Sequence, residues 1–258
     1  MMDVDELCAT FARQGYLNLG KVLSESDITR FTDLYEQDWR DFQFFWHQYG
    51  YHQAANYEAL VTTPAFDALI RHPQLYPLIE AIMGGALWFG EIGLRRRRAY
   101  AGDIHQAWHR DRPHWAEHPL RCDYLQLIVY LSDVDATSHC LSLSPESVGE
   151  AVLEKSEDQL ARGGVVDVTG PAGTCAIFNA SVLHTATTRP TESVRRSVQI
   201  YYGHRHRAPL ANDSGIPPGF WRDHPDVEAR AFYSVLNKRT EVLMRAFGTP
   251  AKKDQRDA

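Results

Sequence analysis

The sequence lacks a long apolar segment and has few cysteines. No run approaches the ~18 consecutive apolar residues that a membrane span requires. The start, MMDVDELCATF, has neither the basic residues nor the apolar stretch of a secretory signal, so we expect a cytoplasmic protein with no membrane partner. The cysteines form no C-x-x-C pair, which disfavours a zinc ribbon or a thiol redox centre. We expect four buried, reduced thiols, at Cys8, Cys122, Cys140 and Cys175.

Basic residues are also fewer than acidic residues. Lys plus Arg number 27 against 33 for Asp plus Glu, a formal net charge of −6, which gives no general attraction to nucleic acid or to an anionic membrane. The apolar fraction of 44% and the charged fraction of 23% are ordinary for a globular protein and exclude a disordered chain. A length of 258 residues predicts one domain over residues 1–258, whereas the oligomeric state is left open.

Hydrophobic periodicity divides the chain into three parts. Residues 1–86 are predicted to be helical, because apolar positions recur at helical spacing. From about residue 87 to residue 205 the period changes to two. The strands predicted there are 94–100, 125–131, 140–143, 164–168, 174–178 and 194–202. Residues 206–258 form a helical extension that ends in a solvated tail at 252–258. Short strands without intervening helices indicate an antiparallel sandwich or barrel.

An aromatic segment, FQFFWHQYGYHQAANY at residues 42–57, lies inside the first part. Its composition is compatible with core packing beneath a long loop. Core packing is the favoured interpretation, and one wall of a ligand pocket is the alternative, since such pockets are mostly apolar and aromatic with few polar groups.

The segment Gln106-Ala107-Trp108-His109-Arg110-Asp111 carries the clearest chemical signal. In an extended strand end, His109 and Asp111 point to the same side. One further histidine would complete two imidazoles and a carboxylate on one face of a metal, a set that suits non-haem Fe(II) because it leaves coordination positions open. His184 lies 75 positions after His109, just beyond a predicted strand, and is the candidate third ligand.

Arg195 opens the last predicted strand, 11 positions after His184. A guanidinium fixed on a strand is suited to bind a carboxylate through two parallel hydrogen bonds. Ser197, two residues on, would face the same side and add a hydroxyl donor. Strand alternation predicts that only one of Arg195 and Arg196 points inward.

Several motifs together resemble one family of enzymes. They are the run 106–111, the segment 131–135 leading to Cys140-Leu141 and to 144–147, the Pro171-Ala172-Gly173 strand before His184, and Arg195. In order and spacing, over residues 10–205, they resemble the phytanoyl-CoA dioxygenase family of Fe(II)- and 2-oxoglutarate-dependent oxygenases. Two positions depart from the family pattern. Pro145-Glu146-Ser147-Val148 stands where the family often has Pro-Gly-Ser-His, and Ser138-His139 stands where it often has Asn-Gly.

The resemblance implies a double-stranded β-helix, the jelly-roll core also found in cupins, packed against N- and C-terminal helices. It implies His109, Asp111 and His184 as iron ligands, and Arg195 as the partner of the distal carboxylate of 2-oxoglutarate. Gln106 matches a position that touches the co-substrate in some members. The implied cofactor set is Fe(II), 2-oxoglutarate and O2, and hydroxylation with release of succinate and CO2 is the expected outcome.

The substrate is expected to be a small polar metabolite or a natural-product intermediate. Arg112, His114 and Trp115 follow the metal motif and offer donors and a flat surface, while Trp46 could supply the opposite wall. The alternative is an acyl-CoA ester, whose phosphates could be bound by arginines of the run 95–98, RRRR. Strand alternation turns at most two of those four inward.

Two other functional classes remain open. A zinc hydrolase could use the His-x-Asp-x-x-His spacing of His109, Asp111 and His114, and rival ligands are His105, His118 and His139. That reading leaves Arg195 and the position of His184 unexplained. A jelly roll could also bind a ligand without turnover, although such a protein would be expected to have lost a ligand or the arginine.

Overall fold

The computed structural model describes residues 3–247 of the chain. The helices are α1 (Val4–Gln14), α2 (Glu25–Asp41), α3 (Ala59–Thr62), α4 (Asp67–Ile70), α5 (Tyr76–Met83), α6 (Ser156–Gly163), α7 (Pro218–Trp221), α8 (Val227–Phe232) and α9 (Lys238–Phe247). The strands are β1 (Tyr16–Lys21), β2 (His47–Gln48), β3 (Ala54–Asn56), β4 (Leu87–Arg97), β5 (Tyr124–Tyr130), β6 (Cys140–Leu143), β7 (Val166–Val168), β8 (Thr174–Asn179), β9 (His184–Thr187) and β10 (Arg195–His204). Among the described helices, none has the length and apolar character needed to cross a membrane.

The strands form two antiparallel sheets. The larger has seven strands in the order β1-β8-β5-β10-β4-β3-β2, and the smaller has three in the order β7-β6-β9. An extended segment runs beside β9 and bonds to it through isolated bridges, His105 to Thr188 and His109 to His184. The predicted fold class, mainly antiparallel β with flanking helices, is confirmed, and the sheets do not close into a barrel.

The strand β10 separates an apolar layer from a polar one. Val198, Ile200 and Tyr202 lie on one face and join the apolar core with the helices. The intervening residues, Arg195, Ser197, Gln199 and Tyr201, therefore point to the opposite face. A second apolar cluster that includes Ile128, Tyr130 and Phe178 fills one part of this inner face. The remainder of the inner face is polar and contains the candidate site.

The prediction that residues 1–86 are helical was wrong for three segments. Tyr16–Lys21 forms the edge strand β1 against β8, while β2 and β3 extend the other edge. Strands β2 and β3 are too short for a clear period of two, and in β1 the buried and exposed positions do not alternate. Strand β4 begins at Leu87, seven residues before the predicted strand, because it is buried on both faces and shows no alternation. The C-terminal extension is helical in short pieces, and the predicted tail at 252–258 lies outside the described residues.

The buried carboxylate of Asp38 holds the aromatic segment against α2. Asp38 is fully buried and accepts hydrogen bonds from Trp46 Nε1, Asn56 Nδ2, Thr62 Oγ1 and Thr63 Oγ1. These four donors lie on the loop and elements that follow α2, so one side chain joins the helix to the segment that borders β4. The core-packing interpretation is thereby correct for Trp46.

We expect Asp38→Ala to destabilise the fold by ~2–4 kcal/mol, because it leaves buried donors without an acceptor. The measurement is the free energy of unfolding in urea. Asp33→Ala is the matched control, since Asp33 is exposed on the same helix and should change stability by no more than ~0.5 kcal/mol. Equal effects of the two substitutions would contradict this role for Asp38.

Candidate metal centre

Two histidines and one aspartate converge between the two sheets. The Nε2 atoms of His109 and His184 lie 3.5 Å and 3.8 Å from Asp111 Oδ1. One donor atom from each of the three residues lies within 4.8 Å of the other two, and within residues 3–247 no other group of three such side chains meets this condition. The structure thus brings together the three side chains that the sequence pattern selects.

Backbone hydrogen bonds determine this convergence. His109 and His184 form an antiparallel bridge, in which each N–H donates to the carbonyl of the other at 3.0 Å. The Asp111 N–H donates to the Ala180 carbonyl, also at 3.0 Å, and this holds the carboxylate on the same side. The two imidazoles therefore lie next to each other, with ring centroids 4.4 Å apart.

Each imidazole is oriented through its second nitrogen. His109 Nδ1 donates to the Ala107 carbonyl at 2.8 Å, and His184 Nδ1 donates to the Val182 carbonyl at 2.9 Å. Bonds of this kind fix the tautomer and leave Nε2 free as a metal ligand. Tyr201 orients the carboxylate of Asp111, because its hydroxyl donates a hydrogen bond to Asp111 Oδ2 at 2.9 Å. The other oxygen, Oδ1, faces the two Nε2 atoms and remains available to a metal.

The protonation states of His184 and Asp111 suit a metal. Burial lowers the pKa of His184, so this imidazole is neutral. The contact with Asp111 raises the pKa of His109, so a metal ion would compete with a proton at this imidazole. Burial by itself raises the pKa of Asp111, but hydrogen bonds from His109 and Tyr201 and the nearby His184 lower it overall, so the carboxylate is ionised. Two imidazoles and one carboxylate fit Fe(II), with coordination positions left for other ligands.

A cavity of about 310 Å³ opens on this site. Its walls are mostly polar or aromatic. They comprise Tyr49, Gly50, Tyr51, Gln53, Arg95, Arg97, His105, Ala107, His109, Asp111, Gln126, Leu141, His184, Thr185, Ala186, Gln199 and Tyr201.

Arg195 is buried on the inner face of β10, opposite the cavity-lining Arg97 and not itself part of the cavity wall, and it has no hydrogen-bond acceptor. It is 2% exposed, and its Nε and both terminal nitrogens make no hydrogen bond. Burial lowers the pKa of this guanidinium. The hydroxyl of Ser197, fully buried on the same face of β10, also makes no hydrogen bond. Buried donors of this kind are costly unless paired, so the pair fits the carboxylate of a bound co-substrate.

The neighbouring arginines follow strand alternation as predicted. Arg196 points away from the interior and pairs with Glu36, which also pairs with Arg96. Arg95 and Arg97 are buried and line the cavity, at 4% and 3% exposure. Two of the four arginines in the run thus face inward.

Four residues expected near the substrate lie elsewhere. Arg112 pairs with the buried Asp123 at 2.7 Å, and His114 contacts Glu146 at 3.2 Å. Trp115 stacks on His118, with ring centroids 5.4 Å apart, and Trp46 is bonded to Asp38. None of the four borders the cavity at the metal centre. The loop after the metal motif turns away because these internal pairs hold it, and the substrate role assigned to the four residues is withdrawn.

The remaining candidates are placed as follows. Gln106 is exposed at the surface and donates to Thr187 Oγ1 at 3.0 Å, so we leave it out of the proposed binding set. His118 contacts the Met83 carbonyl and His139 contacts the Arg98 carbonyl. His105 stacks on Tyr51 at the cavity wall. The three rival histidines and His114 do not join the metal group, which removes the structural basis for the zinc-hydrolase reading.

Three residues of the site were not predicted from the sequence. Gln199 and Tyr201 follow Arg195 and Ser197 at a spacing of two, so extension of the same-face pattern along β10 would have found them. Gln126 had no such signal, because its position depends on long-range packing. Tyr49, in contrast, belongs to the aromatic segment 42–57, for which a pocket wall was one of the two interpretations, and it lines the cavity.

The chain belongs to the phytanoyl-CoA dioxygenase family, which it matches over residues 11–197. The predicted family is confirmed, and it is a family of non-haem iron, 2-oxoglutarate-dependent oxygenases. A curated relative is L-proline trans-4-hydroxylase of Streptomyces griseoviridis, 25% identical over 162 residues. The matched part spans 51% of this chain and 60% of that protein.

Solved structures share the fold. EctD from S. alaskensis, with 2-oxoglutarate and 5-hydroxyectoine, is 18% identical with a TM-score of 0.65, covering 87% of this chain and 86% of EctD. The epimerase SnoN of nogalamycin biosynthesis, in complex with Fe3+, alpha ketoglutarate and nogalamycin RO, is 20% identical with a TM-score of 0.63, covering 78% of this chain and 83% of SnoN. These likenesses confirm the predicted jelly-roll architecture.

We expect Tyr201→Phe to weaken Fe(II) affinity by about 10- to 100-fold, since it removes the hydrogen bond that orients Asp111. Anaerobic equilibrium dialysis against Fe(II) measures this. Tyr202→Phe, which loses a bond to the Ile70 carbonyl on the other face of β10, is the control and should lower stability without changing iron affinity. Unchanged iron binding in Tyr201→Phe would rule out the orienting role.

Proposed function

We propose that this protein uses Fe(II), 2-oxoglutarate and O2 to hydroxylate a small polar metabolite. The observation that carries the proposal is the buried, unbonded guanidinium of Arg195. It lies on the same face of β10 as Tyr201, whose hydroxyl bonds to Asp111 of the metal triad. A metal triad alone is compatible with hydrolytic or structural sites. A buried cation with three free nitrogens additionally requires an anion.

Each residue has one part in this proposal. His109, Asp111 and His184 hold iron through two Nε2 atoms and one carboxylate oxygen. Arg195 and Ser197 bind the distal carboxylate of 2-oxoglutarate, which orients the co-substrate toward the metal. The chemistry supplied by bound iron, 2-oxoglutarate and O2 is oxidation of a substrate C–H bond, with succinate and CO2 as products. The protein selects that bond by position and excludes competing reactions.

The size and lining of the cavity support a small polar substrate. A volume of about 310 Å³ is at the low end of the ~300–1,000 Å³ typical of small-molecule sites. Glutamine, arginine and tyrosine side chains in its wall offer hydrogen bonds to polar groups. The similarity to a hydroxylase of L-proline supports a substrate of this size rather than a long acyl chain.

Substrate-dependent succinate release tests this proposal. Purified protein with Fe(II), 2-oxoglutarate and O2 is screened against L-proline and other small polar metabolites, and in parallel against acyl-CoA esters. We expect faster turnover in the first set. Faster turnover with the acyl-CoA esters would overturn the substrate class while leaving the reaction class intact.

We expect His109→Ala, Asp111→Ala and His184→Ala each to abolish succinate formation while the protein stays folded, because each removes one of three metal ligands. Iron content by atomic absorption and folding by circular dichroism are measured beside activity. His118→Ala, at a histidine outside the triad, is the control for iron content and should leave it unchanged. A triad variant that keeps full iron content and turnover would remove that residue from the ligand set.

We expect Arg195→Ala to raise the KM for 2-oxoglutarate by at least about 30-fold, because loss of a charged hydrogen-bonded pair in a buried site costs ~2–5 kcal/mol. Iron affinity should change little. Arg196→Ala, on the outer face of the same strand, is the matched control. A large effect of Arg196→Ala with none from Arg195→Ala would contradict the assignment.

A further inference from the structure

Arg95 is a second buried arginine that the proposed iron and 2-oxoglutarate sites leave unused. It lies on β4 and lines the cavity of the metal centre, yet it is only 4% exposed. Its Nε makes no hydrogen bond. In the described part of the chain, no carboxylate lies within 4.0 Å of its guanidinium nitrogens.

Two tyrosines hold the guanidinium in place. The Arg95 Cζ lies 4.5 Å from the ring centroid of Tyr49 and 4.5 Å from that of Tyr57. Aromatic faces attract a cation without using its N–H groups as hydrogen-bond donors. The position is fixed while the donors stay free, as a binding group requires.

The side chain leans along β4 over Gly93. A Cβ added at Gly93 would lie 2.9 Å from Arg95 Nε, so the glycine makes room for the guanidinium. Gly93 is opposite Gln199 in the β4–β10 register, whereas Arg97 is opposite Arg195. Arg95 itself is opposite Ser197 in this register, and its side chain leans from there toward the pair Gly93 and Gln199, in the direction away from Arg195.

Neighbouring charged groups do not neutralise Arg95. The nearest buried acid along β4 is Glu91. Burial raises the pKa of Glu91 to about 8, and the nearby Asp213 and Asp111 also raise it, whereas Arg95 lowers it. Glu91 is therefore largely protonated near neutral pH and does not balance the charge of Arg95. Arg97 differs from Arg95, because it donates to Gln53 Oε1, the Ala186 carbonyl and Thr188 Oγ1. Iron, Asp111, 2-oxoglutarate and Arg195 together are neutral, which leaves the charges of Arg95 and Arg97 without an acidic partner. Of these two, Arg97 has its donors occupied by neutral acceptors, whereas those of Arg95 are free.

We propose that Arg95 is the substrate-recognition residue of this site, and that the substrate carries a carboxylate bound by its guanidinium. The inference rests on the proposed function and names its substrate class. A planar guanidinium with free donors matches a carboxylate in a bidentate pair. A single guanidinium with free donors matches the single charge of a carboxylate. A phosphate monoester carries closer to two negative charges and would require a second cationic side chain with free donors.

Isothermal titration calorimetry on the anaerobic protein, loaded with Fe(II) and 2-oxoglutarate, tests the proposal with matched probes. The carboxylates are benzoate and cyclohexanecarboxylate, the neutral partners are benzamide and cyclohexanecarboxamide, and phenyl phosphate is the dianionic probe. We expect a carboxylate to bind at least about tenfold more tightly than its amide, the equivalent of ~1.4 kcal/mol, and more tightly than phenyl phosphate. Equal binding of acid and amide, or tighter binding of the phosphate, would overturn the proposal.

Variants on β4 locate the effect. Arg95→Gln should abolish the preference for the acid over the amide, because it removes the charge. Arg95→Lys should only reduce this preference, because it keeps the charge but loses the two parallel N–H donors of the guanidinium. Arg96→Gln, on the outer face, should leave it unchanged. The affinity for 2-oxoglutarate should stay within about threefold in Arg95→Gln, a change of less than ~1 kcal/mol. A preference that persists in Arg95→Gln, or a large loss of 2-oxoglutarate affinity there, would contradict the assignment.

The proposed function fails separately from this inference. If the wild-type protein does not bind Fe(II) and 2-oxoglutarate together, the proposed function is wrong. If it binds both but shows no preference for the carboxylates, only the role of Arg95 is wrong.

Discussion

The backbone bridge between His109 and His184 is the constraint on which the metal centre depends. Two hydrogen bonds of 3.0 Å place side by side two residues that are 75 positions apart in the chain. The bond from each Nδ1 to a backbone carbonyl then directs both Nε2 atoms to one point, where Asp111 supplies the third donor. Separation of this bridge would disperse the metal ligands without altering any of them.

Buried positive charge is the second feature of the interior. Arg95, Arg97 and Arg195 are each no more than 4% exposed, and none pairs with a carboxylate in the described residues. Burial of an unpaired cation opposes folding. The free energy that offsets it comes from the apolar layer on the other side of the large sheet, where Val198 and Ile200 pack against the helices. The polar face is therefore free to serve anionic ligands.

Local pattern predicted much of this arrangement. Strands β5, β6, β8 and β10 lie within one or two residues of the predicted segments, because each is a short run rich in apolar and aromatic residues between turn-forming residues. Strand alternation separates Arg195 from Arg196. The substrate wall was not predictable in this way, since Arg112 and Trp46 pair with acids outside their own segments, Asp123 and Asp38. Such pairs depend on how two segments pack together, which leaves no periodic signal in the sequence.

A crystal structure of the anaerobic protein with Fe(II) and 2-oxoglutarate tests the account most directly. We predict iron bound by Nε2 of His109 and His184 and by Asp111, with the distal carboxylate of 2-oxoglutarate on Arg195 and Ser197. Iron coordinated by other side chains would contradict the account, as would a distal carboxylate bound to Arg95 or Arg97 with Arg195 still unpaired.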